Sequence, residues 1–508
     1  MSVSGRGARA ALSSRPLVRL AVAFAIGAAM NLAFAPFGWW PVACLAPAAL
    51  FLIIRGLPPR RASAVGAAFG AGLFAFGTYW IYTCFHGYGG VPIWLTLLLQ
   101  AGLVALMACY SAVLCYLANR FWLKGGPARD WLVLPALWVL LEWLRGWLFS
   151  GFPWLSLGYA FPAAPLAGWA PIFGVYGITC AAAYAAVALT VLVSAGVSRT
   201  RRLVATGVIA IVFLIPIGAS RIAWTQPSGP PLPIAAVQGN VPQDQKWQAD
   251  NREATLARYS QLTSEAWGAR LIVWPESALP VLATSIPSYL QALRTAGREH
   301  DADFAIGLVN YDAATDRYYN GVFVISQSGG WYYKRHLVPF GEYFPVPSFV
   351  RSWMRLMSLP YDDISAGADQ QPALTAAGQK LGLTICYEDS FGSAQLPVLR
   401  EATLLINVTN DAWFGDSTAR HQHLQISRMR ALEAGRYLIR AANDGITAVL
   451  DARGGEIAVL PEFREGVLRA DVRPMTGLTP YARWGNYPVL LFCALLLAWA
   501  AWRRRRGV

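Results

Sequence analysis

Gly382-Leu383-Thr384-Ile385-Cys386-Tyr387-Glu388 is an apolar run that ends on a thiol and a carboxylate. Its composition predicts a buried strand whose carboxyl end presents Cys386. Similar apolar runs recur around it, at Ile234–Val237, Leu271–Trp274, Phe304–Val309, Val322–Ser326, Leu404–Val408 and Ile446–Leu450. Helix-like stretches at 251–267, 287–299, 391–400 and 419–435 alternate with several of them. That order predicts an α/β domain, with helices packed on one or both faces of its sheets. Two stretches, Asn320–Tyr333 and Asp444–Ala458, each turn on a glycine pair and read as hairpins. The likeness is one of turn chemistry and does not imply duplication.

The rest of the chain is not that of a soluble protein. Of 508 residues 56% are hydrophobic, and the mean hydropathy is +0.39. Seven apolar segments, roughly 17–36, 40–54, 63–83, 92–118, 131–149, 167–195 and 203–220, precede the polar stretch, and one, roughly 487–502, follows it. We therefore expect a polytopic α-helical protein of about eight spans. Its parts are a membrane domain over 1–221, a soluble catalytic domain over 222–486, and a last span with a basic tail over 487–508. Ala33-Phe34-Ala35 resembles a signal-peptide cleavage site, but Pro36 follows it, so the first span reads as an uncleaved anchor.

Charge orients the spans. Between Ile222 and Asn486 lie 23 Lys and Arg against 26 Asp and Glu, so the net charge of +14 belongs to the remainder. A nucleic-acid partner is excluded on that ground, because the soluble stretch has no basic excess. Arg6, Arg9, Arg15 and Arg19 precede the first span. Arg55, Arg60 and Arg61 follow the second, Arg120, Lys124 and Arg129 the fourth, and Arg199, Arg201 and Arg202 the sixth. Arg503–Arg506 close the chain, while 36–41, 84–91 and 150–166 hold no Lys or Arg. The positive-inside rule then places both termini in the cytoplasm and 222–486 outside it. In that oxidising compartment an unpaired Cys386 is a liability unless it does chemistry. The other cysteines (Cys44, Cys84, Cys109, Cys115, Cys180 and Cys493) lie in or beside apolar segments. On residue type alone, the favoured reading of Cys386 is a buried, inert core thiol at the end of a strand.

Two further motifs change that balance. Val273-Trp274-Pro275-Glu276-Ser277 puts a carboxylate after a strand, and Tyr333-Lys334-Arg335-His336 leads through Val338-Pro339-Phe340-Gly341 to Glu342-Tyr343. Singly, these read as a helix cap and a solvated charge. Together with Cys386 they supply a base, a cation and a thiol, the set needed for nucleophilic acyl transfer. With Val237-Gln238-Gly239-Asn240, Lys246-Trp247, Ile385-Cys386-Tyr387-Glu388 and Asn410-Asp411-Ala412-Trp413-Phe414-Gly415, the chain resembles the nitrilase superfamily. With its spans, it is similar throughout to a membrane-embedded branch, the apolipoprotein N-acyltransferase family of Gram-negative bacteria.

The resemblance implies a nitrilase-like αββα sandwich carrying Glu276 as general base, Lys334 as oxyanion partner and Cys386 as nucleophile. Glu342 would position Lys334 or assist proton transfer, and the backbone N–H of Tyr387 would join the oxyanion site. Tyr387 and Glu388 are further supporting positions; Trp247, Asn320 and Trp413 match positions tied to substrate. Implied partners are a phospholipid acyl donor, plausibly phosphatidylethanolamine at sn-1, and the N-terminal diacylglyceryl-cysteine of an apolipoprotein, at the inner membrane with the catalytic domain in the periplasm. No metal or cofactor is implied. Water as acceptor would make the protein a membrane-tethered amidase instead, and a degenerate domain would leave a transporter or sensor.

Three other features carry expectations. The segment 343–369, where Phe349, Val350, Trp353, Met354, Leu356, Met357 and Leu359 are interleaved with Arg351 and Arg355, reads as an amphipathic lid at the bilayer surface. Glu142 and Arg145, at i, i+3 in the fifth segment, are expected to satisfy one another. His421 and His423, two apart on a helix, do not share a face and do not predict a metal site.

Overall fold

Each of the eight apolar segments folds as a helix in the computed structural model, which describes residues 15–121, 129–343 and 364–506. These are α1 Pro16–Ala29, α2 Val42–Ile53, α3 Pro59–Gly77, α4 Ile93–Phe121, α5 Leu134–Arg145, α6 Ala170–Val193, α7 Arg199–Ala219 and, at the end of the chain, α11 Tyr487–Arg505. Proline opens α1 and α3, where its missing N–H costs nothing. Ser198 caps α7 through the N–H of Arg201. Among the described residues, five helices are long and apolar enough to cross a bilayer: Pro16–Ala33, Ile93–Phe121, Pro165–Val193, Arg199–Ala219 and Tyr487–Arg505. α2 and α5 have 12 residues each, and α3 opens on Arg60 and Arg61.

The chain divides into two compact units: Met1–Ile222 with Asp416–Gln425 and Trp484–Val508, and Ala223–Gly415 with Ile426–Arg483. In the first, small residues let helices meet backbone to backbone. A Cβ on Gly27 would lie 1.9 Å from the Phe69 carbonyl oxygen, and one on Gly66 2.3 Å from that of Ser111. Glu142 and Arg145 do not pair, contrary to expectation. The Glu142 carboxylate accepts from Trp138 Nε1, the Leu157 N–H and Thr179 Oγ1, each at 2.9 Å. Arg145 donates to the carbonyls of Phe152 and Trp154 at 2.6 Å and to Ser156 Oγ at 3.0 Å. The irregular 152–157 segment supplies several of the hydrogen-bond partners these charges need, so each is satisfied without a direct bond to the other. Asp416–Gln425 belongs to this unit through contacts such as Trp154 Nε1 to Gln422 Oε1 at 2.7 Å, and His423 lies against the Trp154 ring.

The second unit holds two six-stranded sheets. One contains β1 Leu232–Gln238, β2 Leu271–Trp274, β3 Asp303–Asp312, β4 Arg317–Ile325, β5 Gly330–Tyr333 and β12 Gly466–Val472, ordered β12-β1-β2-β3-β4-β5. The other contains β6 Leu374–Ala376, β7 Gln379–Ile385, β8 Leu404–Thr409, β9 Leu438–Ala442, β10 Thr447–Leu450 and β11 Glu456–Leu460, ordered β11-β10-β9-β8-β7-β6. The strands β1, β2 and β3 are parallel, as are β7, β8 and β9. Alternate residues then sort by face. Ile234, Ala236 and Val273 meet Leu383, Ile406 and Val408 between the sheets. On the opposite face, Ala235, Val237 and Ile272 pack on Tyr259 and Leu262 of α8 (Arg252–Ala266) and Leu293 of α9 (Pro287–Glu299). The second half of α10 (Thr418–Ala434) covers the other sheet, where Ser427 meets Arg440 of β9. This is the expected αββα sandwich.

Both glycine-pair hairpins form, β4–β5 in one sheet and β10–β11 in the other. The predicted helix at 391–400 instead breaks into a four-residue helix, Gly392–Gln395, and a separate 3₁₀ turn, Val398–Arg400. Pro397, which cannot donate an N–H, lies between them. Residues 344–363, most of the expected lid, lie outside the described residues. Their flanks border Glu342: Phe340 N–H donates to the Tyr343 carbonyl at 2.7 Å, and Ile364 N–H to the Glu342 carbonyl at 3.0 Å.

Candidate active site

β2 and β7 are parallel strands of the two sheets, β5 pairs antiparallel with β4, and the residues that follow all three converge. Glu276 follows β2, Lys334 follows β5, and Cys386 follows β7. Lys334 is 1% exposed, with Nζ 3.3 Å from Glu276 Oε1 and 2.9 Å from both carboxylate oxygens of Glu342. Asn320, within β4, donates through Nδ2 to Glu276 Oε1 at 2.7 Å and to Glu342 Oε1 at 2.9 Å. Glu342 Oε2 also accepts the Val338 N–H at 2.8 Å, and Glu276 Oε2 accepts the Asn410 N–H at 2.9 Å. Every oxygen of the two carboxylates is thus held by a donor, which fixes both groups in place.

Electrostatics follow from this packing. Burial alone would depress the Lys334 ammonium, but Glu342 and Glu276, with Cys386, more than offset it and raise its pKa. The amine therefore stays charged, as an oxyanion partner must. Burial pushes the Cys386 thiol up and the Glu276 charge adds to the effect, while Lys334 pulls it down. The resting sulfur is a neutral thiol, reactive only when a base takes its proton during attack. Cys386 has φ of +49°, a left-handed conformation uncommon outside glycine, and begins a 3₁₀ turn, Cys386–Ser390.

Glu388 lies within that turn and is 2% exposed. Its Oε1 accepts the Arg335 and His336 N–H groups at 2.7 and 3.2 Å; its Oε2 accepts the Ile385 N–H at 2.8 Å and Tyr332 Oη at 2.9 Å. It ties the cysteine turn to the segment that carries Lys334. Burial raises its pKa, against the Arg335 charge and these bonds. Tyr387 is half-buried, its ring edge-on to Phe391. Trp247 and Trp413 are exposed, at 53% and 39%.

Asn320 is drawn into the carboxylate cluster, a bridging role its sequence context does not signal. Lys246 was also not singled out for a role. It is fully buried, donates to the Glu276 carbonyl at 3.3 Å, and burial lowers its pKa to about 8 against the opposing charges of Glu276 and Asp444. Its place beside Trp247 is the signal the sequence offers.

Comparison with known proteins identifies the family. Residues 26–188 match the apolipoprotein N-acyltransferase N-terminal domain, and residues 233–481 the carbon-nitrogen hydrolase family. The apolipoprotein N-acyltransferase of Methylococcus capsulatus is 42% identical over 488 residues, 95% of each chain. That of Azotobacter vinelandii is 41% identical over 495 residues, again 95% of each. Among solved structures, Saccharomyces cerevisiae Nit3, a member of branch 10 of the nitrilase superfamily, covers 48% of this chain and 90% of its own at 19% identity and a TM-score of 0.37. With identities above 40% running almost end to end, the chain belongs to the apolipoprotein N-acyltransferase family.

Proposed function

We propose that the protein transfers an acyl chain from a membrane phospholipid to the N-terminal amine of a diacylglyceryl-modified apolipoprotein, through a thioester on Cys386. The supporting observation is the convergence of Glu276, Lys334 and Cys386 in a membrane protein of this family. In the first half-reaction the thiol proton passes to Glu276 as sulfur attacks the ester carbonyl. Lys334 Nζ and the Tyr387 N–H stabilise the oxyanion; each such donor is worth about 3–4 kcal/mol. The C–O bond breaks, the leaving oxygen takes the proton from Glu276, and a lysophospholipid departs. In the second, the acceptor amine attacks the thioester and gives a proton to Glu276. The C–S bond breaks, the proton returns to sulfur, and the amide product leaves.

Glu342 and Asn320 keep Lys334 and Glu276 in register, and Glu388 holds the two chain segments together. Exposed Trp247 and Trp413 suit lipid contact. The donor is read as phosphatidylethanolamine, cleaved at sn-1. The setting is the inner membrane, with the catalytic domain in the periplasm, supported by the basic flanks of the spans.

Purified protein incubated with acyl-labelled phosphatidylethanolamine is expected to carry the acyl mass on the Cys386 peptide, and to pass it to the amine of an added diacylated lipopeptide. Transfer by Cys386→Ser would refute the scheme. Release of the wild-type acyl group to water alone would replace it with the amidase.

A further inference from the structure

The turn Thr409-Asn410-Asp411 closes β8 beside the thiol, and only its Asn410 N–H has a part in the chemistry above. β7 and β8 are parallel, with Ile385 opposite Val408, so Cys386 and Thr409 leave the sheet side by side. That register sets the Thr409 side chain next to the Cys386 sulfur, where it lowers the thiol's pKa against the effect of burial. The same hydroxyl donates to Asp411 Oδ1 at 2.9 Å. Asp411 Oδ2 is held by Arg440 Nη2 at 2.6 Å, with both side chains 0% exposed. Arg440 Nη1 is committed to Asn407 Oδ1 at 2.7 Å and Ser427 Oγ at 3.2 Å, and Nε to the Ile446 carbonyl at 3.3 Å. Gly445 keeps the site open, since a Cβ there would lie 2.4 Å from Asp411 Oδ2.

A buried ion pair so heavily bonded has one accepting oxygen aimed at the residue that neighbours the reacting sulfur across the strand register. We infer that Thr409 is a further catalytic residue, whose hydroxyl hydrogen turns from Asp411 to the Cys386 sulfur as the thiolate forms, and that Asp411 and Arg440 are its positioning residues. A hydroxyl has one hydrogen and two lone pairs. Beside a neutral thiol the hydrogen belongs on the Asp411 carboxylate. Once Glu276 takes the thiol proton, the stronger nearby acceptor is sulfur, and Arg440 keeps Asp411 stabilised after the hydroxyl leaves. The charged groups facing Cys386 are Glu276 after β2, Lys334 after β5 and Asp411 after β8, with Arg440 of β9 behind Asp411.

The inference rests on Cys386 being the nucleophile, and its test needs no lipid. Full-length protein in detergent is alkylated with iodoacetamide across pH, and the modified Cys386 peptide is quantified by mass spectrometry. Thr409→Val, nearly isosteric, is expected to slow alkylation about tenfold on the rising limb, equivalent to about one unit in thiol pKa, while Thr409→Ser stays within about twofold of wild type. Asp411→Asn has the opposite sign: it removes a negative charge near the thiolate and frees the hydroxyl hydrogen, so alkylation quickens about threefold or more. A role confined to packing would move both in one direction. A wild-type profile for Thr409→Val, or equal signs for it and Asp411→Asn, overturns the inference. Thermal melts of the same samples identify unfolded variants, and the Val–Ser pair decides the matter if Asp411→Asn does not fold. Failure of the wild type to form the labelled thioester would instead sink the nucleophile assignment, which this alkylation profile does not report.

Discussion

Lys246 is the most exacting single residue in the site, because its ammonium is wholly buried with one hydrogen bond to a carbonyl among the described residues. Its pKa falls from 10.5 to about 8 on folding, chiefly through burial. Below about pH 8 the folded protein carries a charge that the unfolded chain holds more easily, and this is a stability deficit. As pH rises from about 8 to 10.5 the folded state has lost the proton while the unfolded state still binds it, so stability increases. The deficit at pH 7 is about 3 kcal/mol at about 1.4 kcal/mol per unit. Lys246→Met should therefore raise the apparent unfolding midpoint by a few degrees at pH 7, with the gain fading towards pH 10. A variant less stable than wild type at pH 7, or a gain independent of pH, would show that the Lys246 charge is better compensated than its surroundings indicate.

Strands decide where these residues stand, and Gly307 of β3 shows how tightly. Gly307 lies beside Pro275 and Glu276, and its carbonyl accepts the Ala278 N–H at 2.8 Å. A Cβ there would sit 2.2 Å from the Pro275 carbonyl oxygen and 2.6 Å from Glu276 Cα, both backbone atoms that cannot swing aside. Gly307→Ala must displace the segment carrying the base, at about 1–3 kcal/mol of stability. Misplacement near 1 Å costs about a hundredfold in rate, so thioester formation should fall by at least that factor while the protein stays folded. Near-normal thioester rates would mean that the Glu276 backbone is not fixed by β3.

The elements that converge on the site were largely readable because their patterns are local. β2 and α9 match their predicted limits, and the three catalytic candidates follow apolar runs that could hardly be anything else. β9 was not anticipated, because Leu438-Ile439-Arg440-Ala441-Ala442 puts a charge in mid-strand. Asp411, with Asn407, Ser427 and the Ile446 carbonyl, makes that charge tolerable, and these partners are brought to it by tertiary contact. The Asn320 bridge and the separate commitments of Glu142 and Arg145 were hidden for the same reason: their partners are set by tertiary contact, not by spacing. The helix at 391–400 failed in the other direction, since local periodicity outweighed a single proline.

At the scale of the whole molecule, sidedness determines whether the chemistry reaches a lipoprotein at all. Of the 28 acidic residues, Asp130 and Glu142 alone lie outside 222–486, so the proposed orientation rests on basic residues almost without acidic competition. α7 is the decisive element, because it connects the last basic loop to the catalytic unit. Its 21 residues span about 31 Å at 1.5 Å each, enough to cross a hydrocarbon core of about 30 Å. Residues on either side of α7 must then face opposite compartments. Ala195 precedes it, Ser228 follows it, and both are exposed. In a background with the seven native cysteines replaced, Ser228→Cys should react with an impermeant maleimide in intact spheroplasts, whereas Ala195→Cys should react only after permeabilisation. Equal labelling of both sites in intact spheroplasts would mean that α7 does not cross. The reverse pattern would put Cys386 in the cytoplasm, out of reach of an acceptor presented on the outer face of the membrane.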